Sequence, residues 1–248
     1  VKPEKSSQTL VMKFGGTSIG TPKAMSGAVE IVRQAKAEWP RLVVVTSALS
    51  TVTNLLLDNA AQATLGDTSK LPQSESRLRS LHYAIADHLI ADINHRTLVS
   101  LEIDGLIAEF SSLCKAIAIL GEATPRALDA VAALGERMSV RLLAAAIDAA
   151  GIPAQYIETT QCVITARHFQ NAHPDFDATT QKTRALLEPI LAQGKVPVAR
   201  GFIGATPEGI TTTLGRGGSD YSAAILGAVL PADDVWIWTD VDGVMTTD

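Results

Sequence analysis

A lysine and two glycines follow the first apolar run of the sequence. The run occupies residues 10–12, Lys13 comes directly after it, and Gly15 and Gly16 follow one residue later. Because glycine lacks a Cβ atom, the backbone N–H groups of such a corner can approach phosphate oxygens, and the lysine ammonium adds a mobile positive charge. The spacing is not that of a P-loop. The segment predicts either a phosphate cradle after a buried strand or an ordinary tight turn.

Hydroxyl-bearing side chains follow the second apolar run. The run at 42–46 is typical of a buried parallel strand, and Ser47, Ser50, Thr51 and Thr53 come after it. In open α/β sheets, ligands bind outside the carboxyl ends of the strands. These hydroxyl groups therefore either bind a carboxylate or phosphate, or form a turn that caps the next helix.

A third segment places a carboxylate after a glycine. Gly135 and Glu136 lie in a stretch rich in alanine and leucine, and we expect them at the start of a helix, close to free backbone N–H groups. Glu136 then either caps that helix or binds the ammonium group of a substrate.

The segment 214–222 combines glycines with both signs of charge. Arg216 offers a bidentate fork to a carboxylate or phosphate, and the glycines expose backbone N–H groups ahead of a helix. Ser219 is predicted to be the N-cap of that helix. Asp220 cannot bind a further anion, so it should orient a lysine or a Mg²⁺ ion.

The last polar segment follows an apolar run at 235–239. Thr239 and Asp240 can hydrogen-bond a base or a ribose, and residues 242–243 make a turn. The Asp-x-Asp-Gly pattern resembles part of a calcium loop, but the later ligands of that loop are absent, so calcium is rejected.

Composition excludes several classes of protein. The 248 residues are 46% hydrophobic and carry a net charge of −5 without a basic tract, so neither nucleic acid nor an anionic membrane is an expected partner. No apolar run reaches the length of a membrane span. The two cysteines are far apart and fit a reducing cytosol, and the histidines lack the spacing of a metal site. The polar residues 1–8 are expected to form a disordered arm.

Strand and helix patterns alternate along the chain, which predicts a mostly parallel sheet covered on both faces. Strands are expected at 10–12, 42–46, 155–158, 196–199, 210–213 and 235–239. Helices are expected at 22–38, 54–63, 125–150 and 219–230, with a break near Gly135. Residues from 76 to about 119 have apolar side chains at helical spacing and predict a helical insertion outside the sheet.

The motifs together, in this order, resemble the aspartate kinases of the amino-acid kinase superfamily. They are KFGGTS from Lys13, GERMS from Gly135, LGRGGSDY from 214 and WTDVDGV from 238. The resemblance implies a three-layer α/β/α sandwich with a mainly parallel sheet. It implies an amino-terminal aspartate lobe at about 9–190 and the start of an ATP lobe at about 191–248. The implied reaction converts L-aspartate and MgATP into 4-phospho-L-aspartate and ADP, the first step toward lysine, threonine and methionine.

The resemblance also assigns roles in phosphoryl transfer. Lys13 would neutralise the transferring group and Asp220 would hold Lys13 in place. The N–H groups of Gly15 and Gly16 would contact the transferring group. Further phosphate-binding positions are Gly217, Gly218 and Ser219.

Substrate and nucleotide contacts follow from the same resemblance. Arg216 would bind a carboxylate of aspartate, Glu136 its ammonium group, and Ser47 and Thr53 the remaining oxygens. Phe202 would either form a wall of the pocket or belong to the core.

Thr239, Asp240 and Met245 are assigned to the nucleotide; many members of the family have tyrosine where Met245 stands. Kinase domains of this family continue into regulatory ACT domains that this sequence lacks. We therefore expect a catalytic domain truncated on its carboxyl-terminal side, from a cytoplasmic protein that forms homo-oligomers at full length. No protein-bound metal is expected, since Mg²⁺ comes with ATP.

Two other functions remain open from the sequence. One is an amino-acid kinase with a different acceptor, and the other is a non-catalytic fragment that binds an amino acid or a nucleotide. The formation of an acyl phosphate from aspartate but not from glutamate would distinguish all three.

Overall fold

Five parallel strands form the central sheet of the structure, a computed structural model that describes residues 8–239. In chain order the elements are β1 (Thr9–Phe14), α1 (Gly16–Ile19), α2 (Pro22–Glu38), β2 (Arg41–Thr46), α3 (Val52–Thr64), α4 (Leu71–Leu89), α5 (Ile93–Leu120), α6 (Pro125–Ala149), β3 (Ala154–Ile157), α7 (Phe176–Ala192), β4 (Val196–Arg200), β5 (Ile203–Ala205), β6 (Thr211–Thr213), α8 (Gly218–Val229) and β7 (Asp234–Trp238). The strand order is β3-β4-β2-β1-β7, and neighbouring strands are parallel.

Side chains alternate between two hydrophobic cores, one on each face of the sheet. Leu10 and Met12 of β1 pack with α2, α3 and α6, whereas Val11 packs with α7 and α8. This alternation follows from the period of a strand, in which successive side chains point to opposite faces. The predicted three-layer sandwich with a mainly parallel sheet is therefore confirmed.

One predicted strand lies outside the central sheet. The segment expected at 210–213 forms β6, which pairs antiparallel with β5 in a separate two-stranded sheet. The sequence prediction included neither β5 nor α7. The three residues of β5 are too few to show a period, because even the short alternation of a strand needs four or more residues.

The helical insertion is longer than predicted. It consists of α4 and α5 and spans residues 71–120 rather than 76–119. Because most residues at the start of α4 are polar, the spacing of apolar residues does not show where this helix begins. The buried side chains of both helices join the core that also contains α3 and α6.

Helix α6 continues through Gly135, so the predicted break there is wrong. A Cβ atom at this position would lie 2.8 Å from the Cβ atom of Ala48 and 3.4 Å from a methyl carbon of Val52. Glycine therefore allows α6 to approach the loop after β2 closely, and its role is packing rather than ending a helix. Consequently Glu136 lies in the middle of a helix, and the capping interpretation of this residue is wrong.

Some expectations fall outside the part of the chain that the structure describes. Residues 1–7 of the expected arm, together with Asp240 and Met245, lie there. Among residues 8–239, no helix is both long and apolar enough to cross a lipid bilayer.

His82 on α4 is fully buried, and we expect its replacement by leucine to remove a pH-dependent loss of stability. Burial lowers the pKa of His82 to about 4, from 6.5, although the Leu78 carbonyl lies 2.7 Å from Nδ1. Between these pH values the unfolded chain binds a proton that the folded chain does not bind, so stability falls as the pH falls. As the pH falls from about 7.5 to about 5, the titration of His82 should lower the free energy of unfolding by about 2 kcal/mol.

Denaturant unfolding of the wild type and of His82→Leu at both pH values measures this effect. The matched control is His88→Leu, because His88 is exposed on the same helix. An unchanged pH dependence in His82→Leu would contradict the assignment.

Candidate active site

The carboxyl ends of β1, β2 and β4 and the loop before α8 surround one cavity of about 620 Å³. The parallel direction of the strands explains why residues distant in sequence meet there. Predicted site residues that line the cavity are Lys13, Ser47, Thr53, Glu136, Phe202, Arg216, Gly217, Gly218, Ser219 and Asp220.

An ion pair joins β1 to α8 in the cavity wall. Lys13 Nζ lies 2.6 Å from Oδ1 of Asp220, with the lysine side chain 8% exposed and the aspartate side chain 49% exposed. Since Asp220 is in the first turn of α8, the helix positions its carboxylate against the end of the strand. The pair holds the lysine ammonium at a fixed place in the cavity.

The two glycines after Lys13 differ in their hydrogen bonds. The N–H of Gly15 donates to the carbonyl of Trp238 at 3.1 Å. It therefore does not fit the expected role of donor to a phosphoryl group. Gly16 is the first residue of α1, and its carbonyl accepts from the N–H of Ser50 at 3.2 Å.

Glu136 is a buried carboxylate on α6 whose two oxygens differ in their surroundings. Its Oε1 accepts from the N–H of Ala48 at 3.2 Å, whereas Oε2 has no hydrogen-bond partner among the described residues. Burial raises the pKa of Glu136 to about 7, and the Ala48 N–H and the charge of Arg200 oppose that rise. A carboxylate in this state favours a cationic ligand, because a cation would satisfy the unpaired oxygen.

Arg200, which was not singled out from the sequence, is a buried cation that interacts electrostatically with Glu136. It ends β4 beside Thr46, is 2% exposed, and forms an ion pair with Glu158. It also donates to the hydroxyl of Thr160 at 3.2 Å. Burial lowers the pKa of Arg200 to about 10, against the attraction of Glu158. Its type was visible in the sequence, but only the fold brings it close to Glu136.

The hydroxyl-rich loop after β2 is fixed by α6. Ser139 donates from its hydroxyl to the Ser47 carbonyl at 2.6 Å, and Ser47 and Thr53 both line the cavity. Thr51 occupies the N-cap position of α3 but makes no side-chain capping bond. Ser47 of the loop and Thr53 in the first turn of α3 thus belong to the cavity wall, and the alternative role of capping is not seen at Thr51.

The loop before α8 carries Arg216 on its exposed side. Among the described residues, no acidic side chain forms an ion pair with Arg216. Helix α8 begins at Gly218, with Gly217 as its N-cap, so the prediction of Ser219 as N-cap is wrong. The backbone turns at Gly217, where φ is +73°, and this turn places the helix start one residue earlier than serine preference suggests. The Gly218 N–H donates to the Gly215 carbonyl at 2.9 Å, which leaves it unavailable to a ligand.

Phe202 belongs to the cavity wall rather than to the interior of either core. Its φ is +68°, a conformation uncommon for a residue with a side chain. Its N–H donates to the Ser222 hydroxyl at 2.9 Å and its carbonyl accepts from Leu214 at 2.8 Å. These bonds hold the unusual backbone in place.

Several lining residues were not predicted from the sequence. They are Asn54, Leu57, Leu128, Asp129, Ala132, Gln170, Thr213 and Gly215. One signal was present, because Asp129 lies seven residues before Glu136 and seven residues return to the same face of a helix. Of the expected nucleotide contacts, Thr239 is described but is not part of this cavity wall.

Comparison with known proteins agrees with this architecture. The model of the amino acid kinase family matches residues 8–248. Lysine-sensitive aspartokinase 3 of Escherichia coli K12 is 34% identical over 242 residues, which cover 98% of this chain and 51% of that protein. The chloroplastic bifunctional aspartokinase/homoserine dehydrogenase 2 of Arabidopsis thaliana is 35% identical over 239 residues, covering 96% of this chain and 25% of the relative.

A solved structure shares the fold. The crystal structure of E. coli aspartokinase III in complex with aspartate and ADP superimposes with a TM-score of 0.86 at 33% identity, covering 97% of this chain and 51% of that one. This chain thus spans about half the length of the E. coli relative and a quarter of the plant one. Since the family model matches nearly the whole sequence, the chain belongs to the amino acid kinase family.

Proposed function

We propose that this chain carries the catalytic site of an aspartate kinase. The γ-phosphoryl group of MgATP is transferred to the β-carboxylate of L-aspartate, and the products are ADP and 4-phospho-L-aspartate. The observation that carries the proposal is one cavity that contains a fixed lysine ammonium, a buried carboxylate and an arginine, where within residues 8–239 one carboxylate oxygen and the guanidinium have no partner. The similar E. coli enzyme, solved with aspartate and ADP, supports the same pair of ligands.

The chemical step needs charge neutralisation more than proton transfer. A carboxylate is already ionised at neutral pH, so an oxygen of the β-carboxylate attacks the γ-phosphorus as the bond to the β–γ bridging oxygen breaks. The main obstacle is the approach of two anions, which a fixed positive charge relieves. Lys13 supplies that charge, and Asp220 keeps its ammonium in position before substrate arrives. No side chain has to act as a general base.

The other cavity groups position the amino acid. Oε2 of Glu136, which has no partner among residues 8–239, binds the ammonium group of aspartate, and the guanidinium of Arg216 binds its α-carboxylate. The hydroxyl groups of Ser47 and Thr53 bind remaining carboxylate oxygens. Phe202 forms the wall beside them.

Most of the proposed phosphate and nucleoside contacts belong to the carboxyl-terminal part of the chain, and one belongs to the turn after β1. We assign phosphate contacts to the backbone at Gly16, Gly217 and Ser219, and nucleoside contacts to Thr239 and Asp240. Mg²⁺ enters bound to the phosphates of ATP. Residues from about 9 to 190 then form the aspartate lobe, and those from about 191 onward begin the ATP lobe.

The place of this reaction in the cell follows from its product. We infer that 4-phospho-L-aspartate serves the biosynthesis of lysine, threonine and methionine, in the cytoplasm. The full-length protein is inferred to be a homo-oligomer.

A hydroxylamine-trapping assay tests the activity directly. Acyl phosphates react with hydroxylamine to give hydroxamates, so ATP-dependent hydroxamate should form with L-aspartate and not with L-glutamate. Product from glutamate alone would indicate a different acceptor. No product with either amino acid, in a protein that still binds ATP, would indicate a non-catalytic binding role.

Lys13→Ala should lower kcat by about 10³-fold while KM for aspartate changes little. The reason is that the lysine neutralises charge that develops mainly in the transition state. Steady-state kinetics of the coupled ADP-release assay measure both constants. Lys23→Ala is the matched control, because Lys23 is exposed on α2. A rise in KM alone would show that Lys13 binds substrate instead.

The pKa of Glu136 predicts an acidic limb in the pH profile of kcat/KM for aspartate. Since burial raises this pKa to about 7, the carboxylate becomes neutral as the pH falls through that value. Its attraction for the substrate ammonium is then lost, and kcat/KM should fall about tenfold per pH unit below the pKa. Glu136→Gln should raise KM and flatten this limb. The exposed control Glu30→Gln should keep the wild-type profile, and a limb that survives in Glu136→Gln would refute the assignment.

A further inference from the structure

Asp129 is a buried carboxylate in the cavity wall that the proposed reaction leaves without a role. It lies on α6 and is 1% exposed. No basic side chain of the described residues forms an ion pair with it. Burial of an ionisable group without a counter-ion is costly, and here burial raises the pKa of the carboxyl group. Hydrogen bonds must therefore stabilise the buried carboxylate of Asp129.

Both oxygens of Asp129 accept hydrogen bonds from neutral donors. The N–H of Gln170 lies 3.1 Å from Oδ1 and 3.0 Å from Oδ2. Thr213 donates from its hydroxyl to Oδ1 at 2.8 Å and from its N–H to Oδ2 at 3.0 Å. Three donors make these four contacts, because the Gln170 N–H is shared between the two oxygens, and all three belong to the protein. Asp129 therefore binds the protein itself rather than a ligand.

The two donors belong to segments that support the Arg216 loop. Thr213 ends β6, three residues before Arg216, and its carbonyl accepts from the N–H of Ala172 at 2.8 Å. Gly215 packs directly on the other segment, because a Cβ atom there would lie 2.8 Å from the side-chain oxygen of Asn171 and 3.1 Å from the carbonyl of Gln170. Its φ of +79° also requires glycine. Residues 170–172 and 213–215 thus form one packed unit.

Asp129 fastens that unit to the helix that carries Glu136. The two carboxylates are seven residues apart on α6, and both line the cavity. A rigid helix keeps their separation fixed. The bonds of Asp129 therefore fix the position of the Arg216 loop relative to Glu136.

We propose that Asp129 is a positioning residue that sets the distance between the ammonium-binding Glu136 and the carboxylate-binding Arg216, and thereby the affinity for the amino acid substrate. The inference rests on the proposed function for those two ligand contacts. An asparagine cannot replace Asp129, since its NH₂ group would face N–H and O–H donors that need an acceptor.

Kinetics of Asp129→Asn test the proposal. We expect KM for aspartate to rise about tenfold or more, while KM for ATP stays within about twofold, because a small displacement of one binding group weakens only the ligand it holds. A general loss of structure would instead change both constants. The control Asp92→Asn alters an exposed helix cap that asparagine serves equally well, so both constants should stay at wild-type values.

If Asp129→Asn folds poorly, variants of Thr213, which donates two hydrogen bonds to Asp129, still test the proposal. Thr213→Val removes the hydroxyl that donates to Oδ1 of Asp129 and should raise KM for aspartate. Thr213→Ser keeps this hydroxyl, so KM for aspartate should stay at the wild-type value. In the double variant Asp129→Asn/Thr213→Val, the increase in KM should be smaller than the product of the two single increases, because both changes break the same contact. Independent multiplication, or an unchanged KM for aspartate in Asp129→Asn, would overturn the proposal.

Amide hydrogen exchange separates this inference from the proposed function. In Asp129→Asn the N–H groups of Gln170 and Thr213 should exchange faster than in the wild type, whatever reaction the site catalyses. A wild-type protein that does not phosphorylate aspartate would refute the proposed function, and the exchange rates would still report the positioning contact. Unchanged exchange at both amides would refute the contact itself.

Discussion

The parallel direction of the central strands is the constraint on which the site depends. Because β1, β2 and β4 run the same way, the residues that follow them emerge at one edge of the sheet. Lys13, Ser47 and Phe202 are distant in sequence yet line one cavity for this reason. Helices cover both faces of the sheet, so two packed cores support the strands whose ends form the cavity floor.

Helix α6 connects the parts of that edge to one another. Asp129 holds the segment before the Arg216 loop, and Glu136 accepts from the backbone of the loop after β2. One turn later, Ser139 binds a carbonyl of the same loop. The three side chains attach two loops from different parts of the chain to one rigid element. A shift of α6 would therefore move both walls of the cavity together.

Three charged side chains of the cavity, Lys13, Asp129 and Glu136, differ in how their burial is compensated. Lys13 is paired with a carboxylate that remains half exposed, whereas Asp129 is surrounded by neutral donors. Glu136 keeps an oxygen without a partner among the described residues, and burial raises the pKa of its carboxyl group. Only this last arrangement leaves a cost that a ligand can remove, so the cavity has a built-in preference for a cationic group next to α6.

The sequence by itself determined the layers of the fold and the chemical types at the site. Continuous apolar runs predicted the buried strands, and residues suited to anions followed the runs at 10–12 and 42–46, because both features depend on local order along the chain. Only the tertiary structure decided how those residues are used. Gly135 permits close packing instead of ending a helix, and the N–H of Gly15 is taken by a distant carbonyl. The buried roles of Asp129 and Arg200 likewise depend on partners far away in sequence, which a local pattern cannot specify.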